Sequence, residues 1–171
     1  IAMDPTILEL IRQLREFSTP ELCDGCTERR VMDHHIKPRI SEQKIIGPAL
    51  TVDVPADDGG FIPTAIEALE EGQVLVIAGK AFPGSSYWGD HRSLCAQMKG
   101  AAGVVIDGLF RDLEGCREIG LPLYARGVIP CSAQKKNQGR LNVPVLCGGV
   151  EVRPGDLIVG DCNGVLVLRP E

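Results

Sequence analysis

The chain has 171 residues, of which 24% are charged, 44% hydrophobic and 4% aromatic, with a formal net charge of −5. This length suits one domain with its own core, which must be mainly aliphatic. The acidic balance argues against a non-specific nucleic-acid binder. No run of about 18 apolar residues is present to span a membrane, and the N-terminal segment does not read as a signal or transit peptide. We therefore expect a cytoplasmic protein with no nucleic-acid or membrane partner.

The first elements are predicted from apolar spacing and capping residues. Apolar side chains recur at helical spacing within residues 4–16, and Asp4-Pro5 supplies a helix start. A short second helix or turn begins at Ser18-Thr19-Pro20-Glu21. We then predict a loop at 31–43, a strand at 45–54 and a helix at 62–71 that ends at a glycine.

The middle of the chain alternates between the two element types, and its end is rich in β structure. We predict strands at 73–78, 103–106 and 122–125, helices at 87–99 and 113–119, and short β segments at 143–147, 150–152, 157–160 and 165–168. This order predicts a mixed α/β domain with layered sheets, and we find no repeat or linker that would divide residues 1–171 into two domains.

Seven cysteines are scattered through the chain, which favours reduced thiols in a cytosol. Cys23 and Cys26 form a C-x-x-C pair. A zinc site would need a second pair at metal spacing, and a redox motif would need a strand before the pair. The favoured interpretation is that these thiols are small apolar side chains.

Polar residues follow two of the predicted β segments. A loop rich in Gly, Ser and Pro leads into a helix whose first turn carries Gly89, Asp90, His91 and Arg92, and free N–H groups at a helix start attract carboxylates. Arg111 and Asp112 follow the strand at 103–106. Ligands collect beyond the carboxyl ends of strands in open α/β sheets, so we expect the two segments to converge.

The residue types suit one another chemically. Asp112 is a hard oxygen ligand for Mg²⁺ or Mn²⁺, and Arg111 offers a fork for a carboxylate. Asp90 is placed to bind a metal through water or to handle a proton. The alternative is that Asp112 caps a helix and Arg111 forms a surface salt bridge, and the residues alone leave both open.

The spacing of these residues resembles a family signature. Asp90 is followed by 20 residues and then Arg111-Asp112, as in the D-x20-R-D signature of the metal-dependent 4-hydroxy-4-methyl-2-oxoglutarate aldolases. Similar segments occur in order at WGD (88–90), GVVIDG (103–108), PLYARG (122–127), VPVLCGGV (143–150) and PGDLIVGD (154–161). The chain thus resembles the RraA-like and 4-hydroxy-4-methyl-2-oxoglutarate aldolase family over most of its length.

The resemblance implies a single β/β/α "swivelling" domain that forms trimers or hexamers, with sites at subunit contacts. It implies that Asp112 is the direct ligand of Mg²⁺ or Mn²⁺ and that Asp90 acts through water. Arg111 and backbone amides of the Gly89, Asp90, His91 and Arg92 turn would hold a small 2-oxo acid. Aldol cleavage and oxaloacetate decarboxylation would both give pyruvate through a metal-stabilised enolate.

Three departures from the family pattern accompany the resemblance. His91 and Arg92 stand where members often carry apolar residues, and Gly115 stands where an acid extends the motif. The longer aldolases place a further carboxylate in a C-terminal extension, which this chain is expected to lack, and losing that group would remove aldol cleavage but spare decarboxylation. The non-catalytic ribonuclease inhibitor RraA carries glycine at the position of Asp90, so this residue favours the catalytic branch over a regulator acting by protein contact.

Several other residues receive interpretations from their neighbours in sequence. His91 is either a proton shuttle, a contact for the distal carboxylate of the substrate, or a solvated residue. Asp107 is expected to bond local backbone, and Lys135 and Lys136 to be solvated. A methyltransferase function, which family members also carry as a name, lacks a strand followed by a G-x-G-x-x-G nucleotide loop.

Overall fold

The computed structural model describes residues 3–170. Its helices are α1 (Pro5–Leu14), α2 (Thr19–Asp24), α3 (Ile62–Glu67), α4 (Asp90–Met98) and α5 (Leu113–Ile119). Its strands are β1 (Arg30–Val31), β2 (Lys37–Pro38), β3 (Ile45–Asp53), β4 (Val74–Ala78), β5 (Ser86–Trp88), β6 (Gly103–Ile106), β7 (Leu109–Phe110), β8 (Leu123–Ala125), β9 (Gly127–Val128), β10 (Arg140–Leu141), β11 (Val145–Cys147), β12 (Val150–Val152), β13 (Leu157–Asp161) and β14 (Gly164–Leu168). None of the helices between residues 3 and 170 has the length and apolarity needed to cross a bilayer.

The main sheet combines a parallel centre with antiparallel edges. Its strand order is β1-β14-β13-β3-β4-β6-β8-β2, and β10 also pairs with β3. Strands β3, β4, β6 and β8 are parallel, whereas β13 and β14 are antiparallel to their neighbours. Residues 45–48 of β3 pair with β13 and residues 49–53 pair with β4, so this strand joins the two halves.

A second, three-stranded sheet determines where polar side chains emerge. Its strands β5, β7 and β9 are parallel, and each follows one strand of the main sheet. Helices α4 and α5 begin directly after β5 and β7. The chain therefore repeats a β-β-α order, and the starts of both helices lie at the same edge of the small sheet.

The core lies on both faces of the parallel strands. Leu75 and Ile77 of β4 pack with the helices, while Val74, Val76 and Ala78 pack on the opposite face. Every residue of β4 is buried, as expected for a parallel strand covered on both sides. Helix α1 packs on a third cluster through Ile11.

The predicted element order is confirmed, with corrections at several boundaries. The helix predicted at 87–99 begins only at Asp90, because Ser86–Trp88 forms β5. The helix predicted at 62–71 ends at Glu67, and the predicted loop at 31–43 contains β1 in part and β2 entirely. Strands β7, β9 and β10 were not predicted, because two residues are too few to show a period. The short helix or turn expected to begin at Ser18 is α2, and Ser18 and Glu21 form a capping box at its start.

The seven cysteines are free thiols and differ in exposure. Cys131 and Cys162 are exposed, Cys116 and Cys147 are buried, and burial raises the pKa of Cys116 to about 11. Since only the thiolate is nucleophilic, we expect iodoacetamide at pH 8 to label Cys131 and Cys162 first and Cys116 only after unfolding. Peptide mass spectrometry with and without urea measures this, and rapid labelling of Cys116 in the folded protein would contradict it.

Candidate functional site

A cavity of about 180 Å³ opens at the carboxyl ends of β5 and β7. Its charged residues and its one histidine are His91, Arg92, Arg111, Asp112 and Lys135. The two segments expected to converge therefore do meet, one from the start of α4 and one from the start of α5. Cationic side chains outnumber the anionic one in this lining, so the cavity suits an anionic ligand.

Hydrogen bonds fix the starts of α4 and α5 relative to each other. The Arg111 backbone N–H donates to the Trp88 carbonyl oxygen at 2.9 Å, which joins the ends of β5 and β7. The Trp88 indole N–H donates to Ser93 Oγ at 2.7 Å, and Ser93 Oγ lies 3.8 Å from Cys116 Sγ. Trp88 is only 2% exposed and Cys116 0%, so this contact joins α4 to α5 in the interior, behind the cavity.

Asp112 has an unusual backbone conformation at the cavity. Its φ of 61° and ψ of 48° are left-handed, which aspartate tolerates better than most residues. Its carboxylate does not cap α5 and accepts one long hydrogen bond, from the Asp90 N–H at 3.4 Å. A Cβ added at Gly89 would lie 2.6 Å from Asp112 Oδ2, so the carboxylate needs the bare glycine beside it.

The Asp90 side chain lies beside the cavity and is not part of its lining. Asp90 Oδ1 accepts a hydrogen bond from the His91 N–H at 2.7 Å. Asp90 Oδ2 lies 2.4 Å from the position that a Cβ at Gly115 would take. The bare glycine at position 115 therefore leaves room for this carboxylate. Two of the amides expected to hold substrate, those of Asp90 and His91, already face carboxylates.

Two guanidinium groups share the cavity. Arg92 is partly buried, and its Nη1 donates to the Tyr87 carbonyl oxygen at 2.6 Å. Burial lowers the pKa of Arg92, and the positive charge of Arg111 lowers it further. None of the ion pairs formed within residues 3–170 includes Arg92 or Arg111. Both charges are therefore available to a ligand.

Lys135 is exposed, as expected, and it also lines the cavity. Its loop is held by Asp58, which is 2% exposed and accepts from the N–H groups of Gly60 at 3.0 Å, Lys136 at 3.1 Å and Gln138 at 3.3 Å. Burial opposes ionisation of Asp58, but these N–H groups lower its pKa overall. The position of Lys135 at the cavity could not be predicted from sequence spacing, because it depends on contacts between residues far apart in the chain.

A separate group of potential metal ligands lies at the surface. Carboxylate and imidazole atoms of Asp33, His34 and His35 lie within 4.8 Å of one another. Asp33 is already paired with Arg126 at 3.4 Å and with His35 at 2.8 Å. His34 and His35 are exposed, as expected, and we assign them no metal.

Comparison with known proteins identifies the family. Residues 19–167 match the family model for RraA-like proteins, described as Aldolase/RraA. The chain belongs to the Aldolase/RraA family. Its mixed α/β architecture with a curled sheet is accordingly the RraA-like fold.

Individual relatives within the Aldolase/RraA family carry different names. An uncharacterized protein of Methanocaldococcus jannaschii is 40% identical over 160 residues, covering 92% of this chain and 76% of that protein. A Halalkalibacterium halodurans protein named "Putative 4-hydroxy-4-methyl-2-oxoglutarate aldolase" is 34% identical over 166 residues, covering 97% and 79%. A solved structure from Streptomyces coelicolor, titled an unusual member of the RNase ES inhibitor RraA protein family, superposes with a TM-score of 0.85 at 30% identity, covering 98% and 87%.

Proposed function

We propose that this chain is a divalent-metal-dependent carbon–carbon lyase that acts on small 2-oxo acids. The observation that carries the proposal is that Arg111 and Asp112 line the same cavity. The guanidinium can bind a carboxylate through two N–H groups, and the aspartate supplies a hard oxygen ligand for a metal. Relatives named as 4-hydroxy-4-methyl-2-oxoglutarate aldolases support this class. The substrates to test are therefore 4-hydroxy-4-methyl-2-oxoglutarate and oxaloacetate.

The residues present fit a Mg²⁺ or Mn²⁺ ion. Asp112 directs a carboxylate into the cavity without using it to cap α5. Mg²⁺ is often bound by one or two carboxylates and keeps several water ligands, so a site with one direct protein ligand is chemically reasonable. Asp112 would hold the ion directly, and Asp90 would reach it through water.

The side chains of the cavity would each handle one part of the substrate. Arg111 would bind the carboxylate beside the 2-oxo group as a two-pronged partner. Asp90 would accept a proton through a water molecule, since its carboxylate lies beside the cavity. The cation, when bound, would stabilise the negative charge that develops on the 2-oxo group as the C3–C4 bond breaks. Retro-aldol cleavage and decarboxylation both leave charge at that position.

The likeness to RraA proteins supports a second candidate, a regulator that acts by protein contact. The solved RraA structures share the fold at TM-scores of 0.82 and 0.85. Asp90 favours the enzyme, and so do Arg92 and Arg111, which form no ion pair within residues 3–170. A surface for protein contact has no need of a cavity lined by a carboxylate and two guanidinium groups. We further propose that the chain is cytoplasmic and forms a trimer or hexamer.

The deciding experiment measures pyruvate release from both substrates with Mg²⁺, with Mn²⁺ and with a chelator. Asp112→Asn is the better variant to compare, because asparagine tolerates the left-handed conformation. Alanine at this position would cost about 1–2 kcal/mol of backbone strain and so confuse folding with chemistry. We expect metal-dependent release that falls by at least about 10²-fold in Asp112→Asn, with unfolding free energy changed by less than about 0.5 kcal/mol.

No turnover of either substrate by folded wild-type protein in the presence of metal would reject the lyase and favour the regulator. Metal-independent release would reject the assigned role of Asp112. A coupled assay that oxidises NADH as pyruvate is reduced measures each rate, and thermal unfolding of both proteins verifies their folding.

A further inference from the structure

The Arg92 side chain is the strongest feature of the cavity that the proposed function leaves unused. Its Nη1 donates to the Tyr87 carbonyl oxygen and lies 3.2 Å from the position a Cβ would take at Gly59. The guanidinium is therefore anchored at the Gly59 side of the cavity, whereas Asp112 lies against Gly89.

The electrostatic setting of Arg92 calls for an anion. The side chain is partly buried, and Arg111 adds a second positive charge close enough to lower the pKa of Arg92. A buried charge without a partner is unfavourable, and two like charges sharing one cavity are more so. One donor of Arg92 is used by the Tyr87 carbonyl, which leaves the remaining N–H groups for a ligand. A ligand with two separated anionic groups would satisfy both arginines.

We propose that Arg92 binds the second carboxylate of the substrate, the one remote from the 2-oxo group, and that it thereby favours aldol cleavage of 4-hydroxy-2-oxo diacids over decarboxylation of oxaloacetate. This inference rests on the proposed lyase function. Lys135 lines the same cavity and adds to its positive field.

The preference follows from the charge that the second carboxylate carries in each reaction. In aldol cleavage the C4 hydroxyl loses its proton to a base, the C3–C4 bonding pair moves into the enolate of the first product, and C4 becomes the carbonyl of a second 2-oxo acid. The remote carboxylate stays attached to C4 and keeps its charge. Arg92 therefore binds it equally well before, during and after bond cleavage.

In decarboxylation of oxaloacetate the remote carboxylate is itself the leaving group. The C3–C4 bonding pair moves into the enolate, the carboxylate leaves as neutral CO₂, and the enolate later takes a proton from water. An ion pair with Arg92 stabilises the starting state more than the transition state, so it raises the barrier. The same arginine thus supports binding of oxaloacetate but opposes its chemical step.

The test compares Arg92→Leu and Arg92→Gln with wild type. Glutamine keeps an N–H donor for the Tyr87 carbonyl while removing the charge, so it remains informative if the leucine variant folds poorly. Arg117→Leu, which removes an exposed arginine from α5, is the matched control. We expect kcat/KM for 4-hydroxy-4-methyl-2-oxoglutarate to fall by about 10- to 100-fold in both Arg92 variants. For oxaloacetate we expect KM to rise while kcat stays equal or increases.

A binding measurement provides a readout that does not need turnover. Trp88 is the single tryptophan of the chain and lines the cavity, so its fluorescence reports occupancy. We expect the Kd of 2-oxoglutarate to rise by about 10- to 100-fold in Arg92→Gln and the Kd of pyruvate, which lacks the second carboxylate, to stay unchanged. Arg117→Leu should change neither value.

The outcomes separate this inference from the proposed function. Unchanged constants for the dicarboxylates in Arg92→Gln would overturn the assignment of Arg92, and so would an equal loss of pyruvate binding or an equal loss of kcat for both reactions. If wild type turns over neither substrate but still binds 2-oxoglutarate through Arg92, the lyase proposal fails and the second-carboxylate site stands.

Discussion

Replacing Gly89 by alanine is expected to lower kcat/KM for pyruvate release by about 10²-fold without unfolding the protein. Gly89 has φ −155° and ψ −172°, an extended conformation that any residue adopts, so alanine adds no backbone strain. The new methyl group would lie 2.6 Å from Asp112 Oδ2, and the carboxylate must turn away. Because Asp112 is the proposed direct metal ligand, a displaced carboxylate weakens both metal binding and catalysis.

Gly127→Ala is the matched control for this substitution. Gly127 lies in β9 of the same small sheet, and a Cβ there would meet Leu109 Cδ2 at an ordinary 3.5 Å. Electron paramagnetic resonance of free Mn²⁺ measures the Kd of each variant independently of turnover. We expect weaker Mn²⁺ binding in Gly89→Ala and unchanged binding in Gly127→Ala. Normal Mn²⁺ binding by a folded Gly89→Ala protein would show that Asp112 does not anchor the metal.

The convergence of Asp90, Arg111 and Asp112 near one another could be predicted because it depends on a general property of α/β sheets. Parallel strands end at the same edge, so polar residues that follow successive strands come together. The sequence placed the start of α5 correctly at residue 113. It placed the start of α4 three residues too early, because Tyr87 and Trp88 fit a helix or a strand equally well. Only pairing with β7 makes them a strand.

Other features of the cavity depend on contacts that spacing does not encode. Lys135 reaches the cavity because Asp58, 77 residues earlier, binds the N–H groups of its loop. Whether the Arg92 guanidinium can bind a ligand likewise depends on the tertiary structure, because no carboxylate of another element may lie beside it. The bare Cα of Gly115 was interpreted as a lost acid, whereas the structure shows the Asp90 side chain packed against it.

Asp107→Ala is expected to lower the free energy of unfolding by about 3 kcal/mol, the largest stability effect we predict. Asp107 is 5% exposed, accepts from Arg126 Nε at 2.6 Å, and accepts from the Gly148 N–H at 2.9 Å. Asp107 therefore joins the end of β6 to Arg126 and Gly148, which lie 19 and 41 positions further along the chain. The sequence had suggested bonds to local backbone instead. Alanine leaves the Arg126 charge without its closest partner and the Gly148 N–H without an acceptor. Urea unfolding measures the loss, and the melting temperature should fall by about 6–12 °C.

A double-mutant cycle with Arg126→Leu distinguishes the ion pair from a general packing defect. Much of the cost of Asp107→Ala is the penalty of a mostly buried guanidinium that loses its closest partner and keeps only Asp33 at 3.4 Å, and the leucine removes this charge. The double variant should therefore lose less than the sum of the two single losses, and strict additivity would contradict the pairing. Because Asp107 does not line the cavity, the Mn²⁺ affinity of the folded Asp107→Ala protein should equal that of wild type. Asp107 and Asp112 lie five residues apart on either side of β7, and these two measurements assign stability to the first and metal binding to the second.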